Sequence, residues 1–381
     1  DSLNLNGILN GNLDFVQKKG QYSPAGNLSI KGFKINSFEQ GDLSLKVIGE
    51  NSYEKYAVDL TLKSNNKVSI SAIGSVDFTQ QRPVIDLNVS LDKFLLNAFS
   101  PLGQDVLSKI RGEASGQFQV SGFLRNPDMK GELTLNDAGL RFPYLNVDYD
   151  FDGLTKIKLE KQSFIFEKLK LMDVKHKTTG DFSGSINHID FKHWSLNFDI
   201  LTNNLVVLDT KESEESLYYG TAFIEGSAKI EGFTESLSIL VNATTKPNTK
   251  FVIPLKDIKT VNNYKLIQFN PEKSIELNKE LNPFTLSALK GLSLDINLEV
   301  TKDALVEVVI DKTNGSLLNG RGKGDLKIEI DTRGKFNMEG EFAVDEGKYD
   351  FKYGGLVNKT FNVEKGGKIS WNGSPFDAEL D

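Results

Sequence analysis

Leu292-Ser293-Leu294-Asp295-Ile296-Asn297-Leu298-Glu299-Val300-Thr301 alternates without a break, apolar at every even position and polar at every odd one. Only an extended chain, whose side chains repeat every two residues, puts all five apolar groups on one face; a helix scatters them around its circumference. The same alternation returns at Val58, Leu60 and Leu62, at Ile85, Leu87, Val89 and Leu91, at Leu196, Phe198 and Ile200, and at Leu326, Ile328 and Ile330. Between such runs stand Lys63-Ser64-Asn65-Asn66, Asn203-Asn204, Thr313-Asn314-Gly315 and Asp331-Thr332-Arg333-Gly334. These predict hairpin turns, because Asn, Asp and Gly tolerate positive φ. The chain reads as a meander of antiparallel strands.

Helix is scarce in this reading. Leu91 to Phe99 and Pro101 to Ile110 predict two short helices, Pro283 to Leu289 a third, and the charged stretch Ile267 to Leu281 a surface loop. At about 12 to 16 residues for a strand and its turn, the chain holds about 25 strands. Open sheets rarely exceed about 10 strands without curling, splitting or stacking, and two or three short helices cannot cover so many dry faces. The sheet must cover itself, in sandwiches, in closed barrels, or by curling into a trough lined by every second residue. A stack of sandwiches needs clearer linkers than this sequence contains.

The 381 residues carry a net charge of −7, which argues against nucleic acid as a partner. There is no cysteine, so disulfides, thiolate metal sites and cysteine nucleophiles are excluded together. His188 and His193 are an odd number of residues apart, which on a strand places them on opposite faces, poorly set to share a metal. Gly320-Arg321-Gly322-Lys323-Gly324 superficially suggests a phosphate loop, but no Lys-Ser or Lys-Thr follows and the next segment alternates as a strand; it reads as a glycine-rich strand turn. Acidic residues such as Asp86, Asp92 and Glu329 fall on solvent-side positions, and no nucleophile has a visible base beside it. Neither an enzyme nor a cofactor or metal site is expected. No run approaches the roughly 20 apolar residues that cross a bilayer, and Asp1-Ser2-Leu3-Asn4 lacks the cationic start of a secretory signal, so any anchor is expected outside this chain.

The C-terminal stretch adds what periodicity cannot. Gly320-Arg321-Gly322-Lys323-Gly324-Asp325-Leu326 is followed by Gly334-Lys335-Phe336-Asn337-Met338-Glu339-Gly340, by Gly347-Lys348-Tyr349-Asp350-Phe351, by Phe361-Asn362-Val363 and by Gly367-Lys368-Ile369-Ser370-Trp371-Asn372-Gly373-Ser374-Pro375. This succession resembles the C-terminal domain of the TamB family, the periplasmic subunit of the bacterial translocation and assembly module. Phe142-Pro143-Tyr144-Leu145-Asn146, Trp194-Ser195-Leu196, Leu205-Val206-Val207-Leu208-Asp209-Thr210 and Tyr218-Tyr219-Gly220-Thr221-Ala222 are similar to Bacteroidota-type members.

The resemblance implies an all-β fold, an elongated, curled antiparallel sheet forming a taco-shaped apolar groove like that of AsmA-like and bridge-like lipid-transfer proteins, with two or three short helices. It divides the chain softly into 1–111 (with helices near 91–110), a middle groove segment 112–266, a loop with a short helix 267–290, and the signature domain 291–381. It implies a place in the periplasm of a diderm bacterium, bridging an inner-membrane anchor that this chain lacks and an outer-membrane BAM-superfamily barrel, TamA or its lipoprotein relative. Two roles follow: passage of phospholipid acyl chains to the outer membrane, or assistance to outer-membrane protein assembly by strand-edge pairing. The expected groove lining is Leu292, Leu294, Ile296, Leu298, Val300, Val306, Val308, Ile310, Leu326, Ile328, Ile330, Phe336, Met338, Phe342 and Val344; the alternative is that these residues interdigitate as a dry protein core. Phe361, Val363, Ile369 and Trp371 are the expected partner-docking residues, with closure of the sheet end by Trp371 and Pro375 as the alternative.

Overall fold

The structure is a computed structural model that describes residues 4–18, 21–49, 54–103, 107–190, 193–213, 218–254, 291–332, 335–375 and 377–381. It is all-β, with a curled sheet and, among the described residues, no α-helix. Two compact units comprise Asp1–Val206 with Gly226–Ile239, and Val207–Glu225 with Leu240–Asp381.

The first unit is built on β1 (Leu5–Lys18), β2 (Gln21–Ile35), β3 (Phe38–Gly49), β4 (Lys55–Ser64), β5 (Lys67–Asp77), β6 (Val84–Leu95), β7 (Ser108–Phe123) and β8 (Asn126–Phe142), each antiparallel to the next. β9 (Val147–Phe151) and β10 (Thr155–Lys161) share the place between β8 and β11 (Ser163–Asp173), which pairs on with β12 (Thr179–Ile189) and β13 (His193–Thr210). The Asn65-Asn66 hairpin forms as its composition predicts, with φ of 50° and 63°.

The second unit carries parts of β14 (Tyr219–Phe233) and β15 (Ser236–Thr245), then β16 (Lys250–Pro254), β17 (Ser293–Val300), β18 (Leu305–Asp311), β19 (Ser316–Asp331), β20 (Phe336–Tyr353), β21 (Val357–Val363), β22 (Lys368–Gly373) and β23 (Glu379–Leu380). β17 and β18 both pair with β19, and β20 takes β21 along its C-terminal half and β22 along its N-terminal half.

The structure departs from the sequence reading in four places. β16 and β18 run parallel, from Lys250 beside Leu305 to Pro254 beside Val309, so the sheet is mixed rather than purely antiparallel. Alternation fixes which face a residue takes but not the direction of its neighbour; a parallel neighbour needs a long crossover, and the stretch between Pro254 and Leu305 supplies one. The helices expected at 91–99 and 101–110 reduce to one 3₁₀ helix, Leu96–Gly103. Phe94 and Leu95 are claimed by the ladder to Ala114 and Glu113, and a bulge at Lys93, with φ of 53°, accounts for the bunching that imitates a helical stripe. Asn203-Asn204 makes no hairpin: both lie inside β13, at a register shift against β12. The Gly320–Gly324 cluster is no turn but the middle of β19. The helix expected at 283–289 and the loop at 267–281 lie outside the described residues.

Candidate functional site: the apolar face

Pairing register decides which side chains stand side by side across a sheet. In the first unit one transverse row runs Leu28, Leu45, Leu60, Ala72, Val89, Phe118, Gly131, Leu159, Phe164, Ile186 and Leu196, one residue from each of eleven strands. A second row, Ile30, Leu43, Leu62, Ile70 and Leu91, runs beside it. The opposite face at the same level carries Ser29, Ser44, Thr61, Ser71, Ser90, Gln117 and Glu132. One face is therefore oily across the whole unit and the other is polar.

The oily face is only partly closed. Leu62 and Leu159 are 1% exposed, yet Leu45, Leu60, Val89 and Phe118 are half-buried and Leu28 is 44% exposed. One end is capped where Phe94 and Phe99, before and within the 3₁₀ helix, pack with Phe33 and Leu62. The Asn36 side chain donates to the Ala98 carbonyl at 3.1 Å and pins that cap. A cleft of about 670 Å³ beside it is lined by Phe38, Asn97, Lys109, Arg111, Asp148 and Asp150. Its charges are spent internally, since Arg111 donates to Asp148 at 2.8 Å, to Asp150 at 2.5 Å and to the Tyr149 carbonyl at 3.1 Å.

At β11 to β13 the face turns aromatic. Phe166, Phe182 and Phe198 pack edge to face or tilted at 4.8 to 6.3 Å, and His188 lies between Phe164 and Trp194 at 6.2 and 5.1 Å. His188 is buried while His193 is exposed, so the two sit on opposite faces. Burial holds the His188 imidazole below its ordinary pKa, against a weaker upward pull from Asp190. The unfolded chain therefore binds more protons than the folded one as pH falls below about 6.5, and stability is lost on acidification. His188→Phe, which keeps a ring and cannot protonate, is expected to flatten the fall in thermal midpoint between about pH 7 and 5; an unchanged slope assigns the acid sensitivity elsewhere.

In the second unit most of the expected lining residues are brought onto one face. Leu298, Leu326, Gly340 and Trp371 form one row, Ile296, Ile328 and Met338 another, Val300, Gly324, Phe342 and Ile369 a third, and Leu294, Ile330 and Phe336 a fourth. Val300, Leu326, Met338, Phe342 and Val344 are buried in one cluster, with Leu298, Val306 and Ile328 packed against it. Ile330 is also buried, whereas Leu292, Leu294, Ile296, Val308, Ile310 and Phe336 stay half-buried. The glycines of β19 and β20 make the cluster possible: a Cβ on Gly340, at φ +128°, stands 2.0 Å from the Asp325 carbonyl oxygen.

Of the expected docking residues, Ile369 and Trp371 are buried in the same cluster and Val363 packs on it. The Trp371 indole donates to the Pro375 carbonyl at 3.1 Å, the sheet-closing arrangement. Phe361 is 51% exposed and stacks on Tyr349 at 6.2 Å. Outward-facing charges are paired on the surface; Glu329 accepts from Lys327 at 2.8 Å and from Lys335, which hold its carboxyl down at about 2.

The first-unit rows form a further apolar surface that the expected lining leaves out, although the alternation at Val58–Leu62 and Ile85–Leu91 is their signature. Besides the two-residue β23, which pairs only with β22, two longer strands have an open edge among the described residues. β1 pairs only with β2 and leaves Leu9, Leu13 and Phe15 more than 60% exposed, and β21 pairs only with β20.

In each unit the sheet sets an apolar face against a polar one and leaves an edge strand open, the pattern of a groove-type all-β protein. The TamB C-terminal domain model matches residues 168–381, more than half of the sequence, and the chain belongs to the TamB family. Members of this family are envelope proteins of diderm bacteria, associated with TamA-type partners in the translocation and assembly module. No curated protein and no solved structure matches this chain.

Proposed function

We propose that this chain conducts phospholipids between inner and outer membrane, their acyl chains moving along the apolar faces of its sheets. The observation that carries this reading is the row from Leu28 to Leu196, most of which is left half-buried or exposed. Acyl chains in water cost about 0.8 kcal/mol per methylene, so a lipid crossing unaided faces roughly 20 kcal/mol or more. Leu, Ile, Val and Phe without trapped charge remove most of that barrier and offer no polar handle, so the chains slide. No bond is made or broken, which makes the protein a conduit and not an enzyme. On this reading it works in the periplasm between the inner membrane and a TamA-type barrel or its lipoprotein relative at the outer membrane.

A second role in assembling outer-membrane β-barrels draws on the open edge of β21, whose free backbone groups suit strand addition, with Phe361 beside it. A photo-crosslinking residue at Ile296 separates the two. A phospholipid adduct recovered from cells is expected, together with phospholipid on the purified chain in native mass spectrometry. A normally folded protein that yields neither excludes the conduit.

A further inference from the structure

The hairpin tips along one rim of the first-unit sheet are joined in succession. The Phe78 N–H donates to the Glu54 carbonyl at 2.6 Å, the Leu124 N–H to the Pro83 carbonyl at 2.8 Å, and the Asp190 N–H to the Asn126 side chain at 3.2 Å. Water-facing tips are ordinarily polar. These instead expose Phe78 (45%), Phe123 (48%), Leu124 (40%) and Ile189 (53%). Among them stand Arg82, its guanidinium 5.6 Å from the centre of the Phe123 ring, and Arg125. Among the described residues neither arginine pairs with a carboxylate. The carboxylates nearest in sequence accept elsewhere, Asp86 from Gln119 at 2.8 Å, Asp77 from Thr79 at 2.6 Å and Lys55 at 3.2 Å, and Asp128 from Gln162 at 2.6 Å.

We infer that this rim rests on the surface of an anionic phospholipid bilayer. The side-chain chemistry is that of the membrane interface: rings and Leu enter the headgroup–acyl boundary while free guanidinium groups take phosphate oxygens bidentately. Glu54, Asp77, Asp128 and Asp190 also lie along these tips, so the affinity for phosphate rests on the two guanidinium groups themselves, which carry no carboxylate partner, and not on a net positive edge. The location suits it as well. Tyr56, Val76, Ile85 and Gly122 form the last row of the oily face next to these tips, and Tyr56 touches Phe78 at 6.1 Å. A bilayer at the rim therefore lies next to the end of the apolar face. The inference goes beyond the conduit reading and holds whether or not lipid travels along the sheet.

The test is co-sedimentation of the whole chain with phosphatidylethanolamine–phosphatidylglycerol vesicles and with phosphatidylcholine vesicles. Binding is expected to favour the anionic vesicles, and Arg82→Glu with Arg125→Glu to weaken it about 30-fold, at about 1 kcal/mol for each basic residue. A Leu124→Trp variant reads the tip directly and does not depend on how the charge variant folds. Its emission is expected to shift to the blue on the anionic vesicles and to be quenched by nitroxide-labelled headgroups. Unchanged partition of a folded double variant, or water-like emission from the tryptophan, overturns the proposal. Retained lipid adducts at Ile296 alongside lost vesicle binding would leave the conduit standing without this rim.

Discussion

Replacing Phe342 by alanine is expected to lower the unfolding free energy by about 3 to 5 kcal/mol, the usual cost of emptying a phenylalanine site that cannot collapse. Phe342 is 3% exposed, and its seat is hollowed out by two glycines on the neighbouring strand. It stands opposite Gly324 in register, and a Cβ on Gly322 comes within 2.9 Å of its ring. Because glycine backbone forms one side of that seat, no neighbouring side chain can fill the void from that side. Gly324→Val approaches the same failure from the other side, since its Cβ falls 2.3 Å from the Glu341 carbonyl oxygen and 2.9 Å from the Phe342 Cα. Urea unfolding of the whole chain measures both. A loss below about 1 kcal/mol for Phe342→Ala would mean that the ring lines open space and is not packed in a core. Phe342 was expected to touch lipid; burial in a protein cluster makes it structural first. The half-buried Leu294, Ile296 and Phe336 keep the accessible part of that face.

The second large effect falls on transport. Val89 sits midway along the apolar row, between Ala72 and Phe118, and is half-buried. Val89→Glu places a carboxylate in the path of the acyl chains at about 3 kcal/mol in a hydrocarbon setting, so phospholipid recovered per folded molecule is expected to fall about a hundredfold. Val89→Thr keeps the shape and exchanges one methyl for a hydroxyl, and is expected to stay within about threefold of wild type, at about 0.5 kcal/mol in a half-wet site. Equal lipid content in all three, measured by mass spectrometry on protein of matched thermal midpoint, would place the lipid path elsewhere.

Much of the fold was legible because a strand writes itself locally. The run from Leu292 to Val300 forms the predicted strand apart from its first residue, and its even positions share one face. Thr313-Asn314-Gly315 forms a turn, with Gly315 at φ 79° and Asp311 accepting from the Asn314 N–H at 2.9 Å. These contacts span a few residues and need no distant partner. The Asn203-Asn204 pair carries the same turn chemistry and yet runs through a strand, because Thr202 donates to the Thr179 carbonyl at 2.8 Å and β12 holds the chain extended.

By itself, then, the amino-acid order determined that this is a strand-rich chain with one oily side and one wet side, since side-chain direction along an extended backbone repeats every two residues whatever lies beside it. Only the tertiary structure decided the parallel pairing of β16 with β18, the use of Gly322 and Gly324 as a seat for Phe342, the burial of Trp371 against Pro375, and the choice of which apolar rows are sealed and which stay open. Each of these depends on the strand that arrives alongside, often from far away in the chain, and local periodicity holds no record of that neighbour.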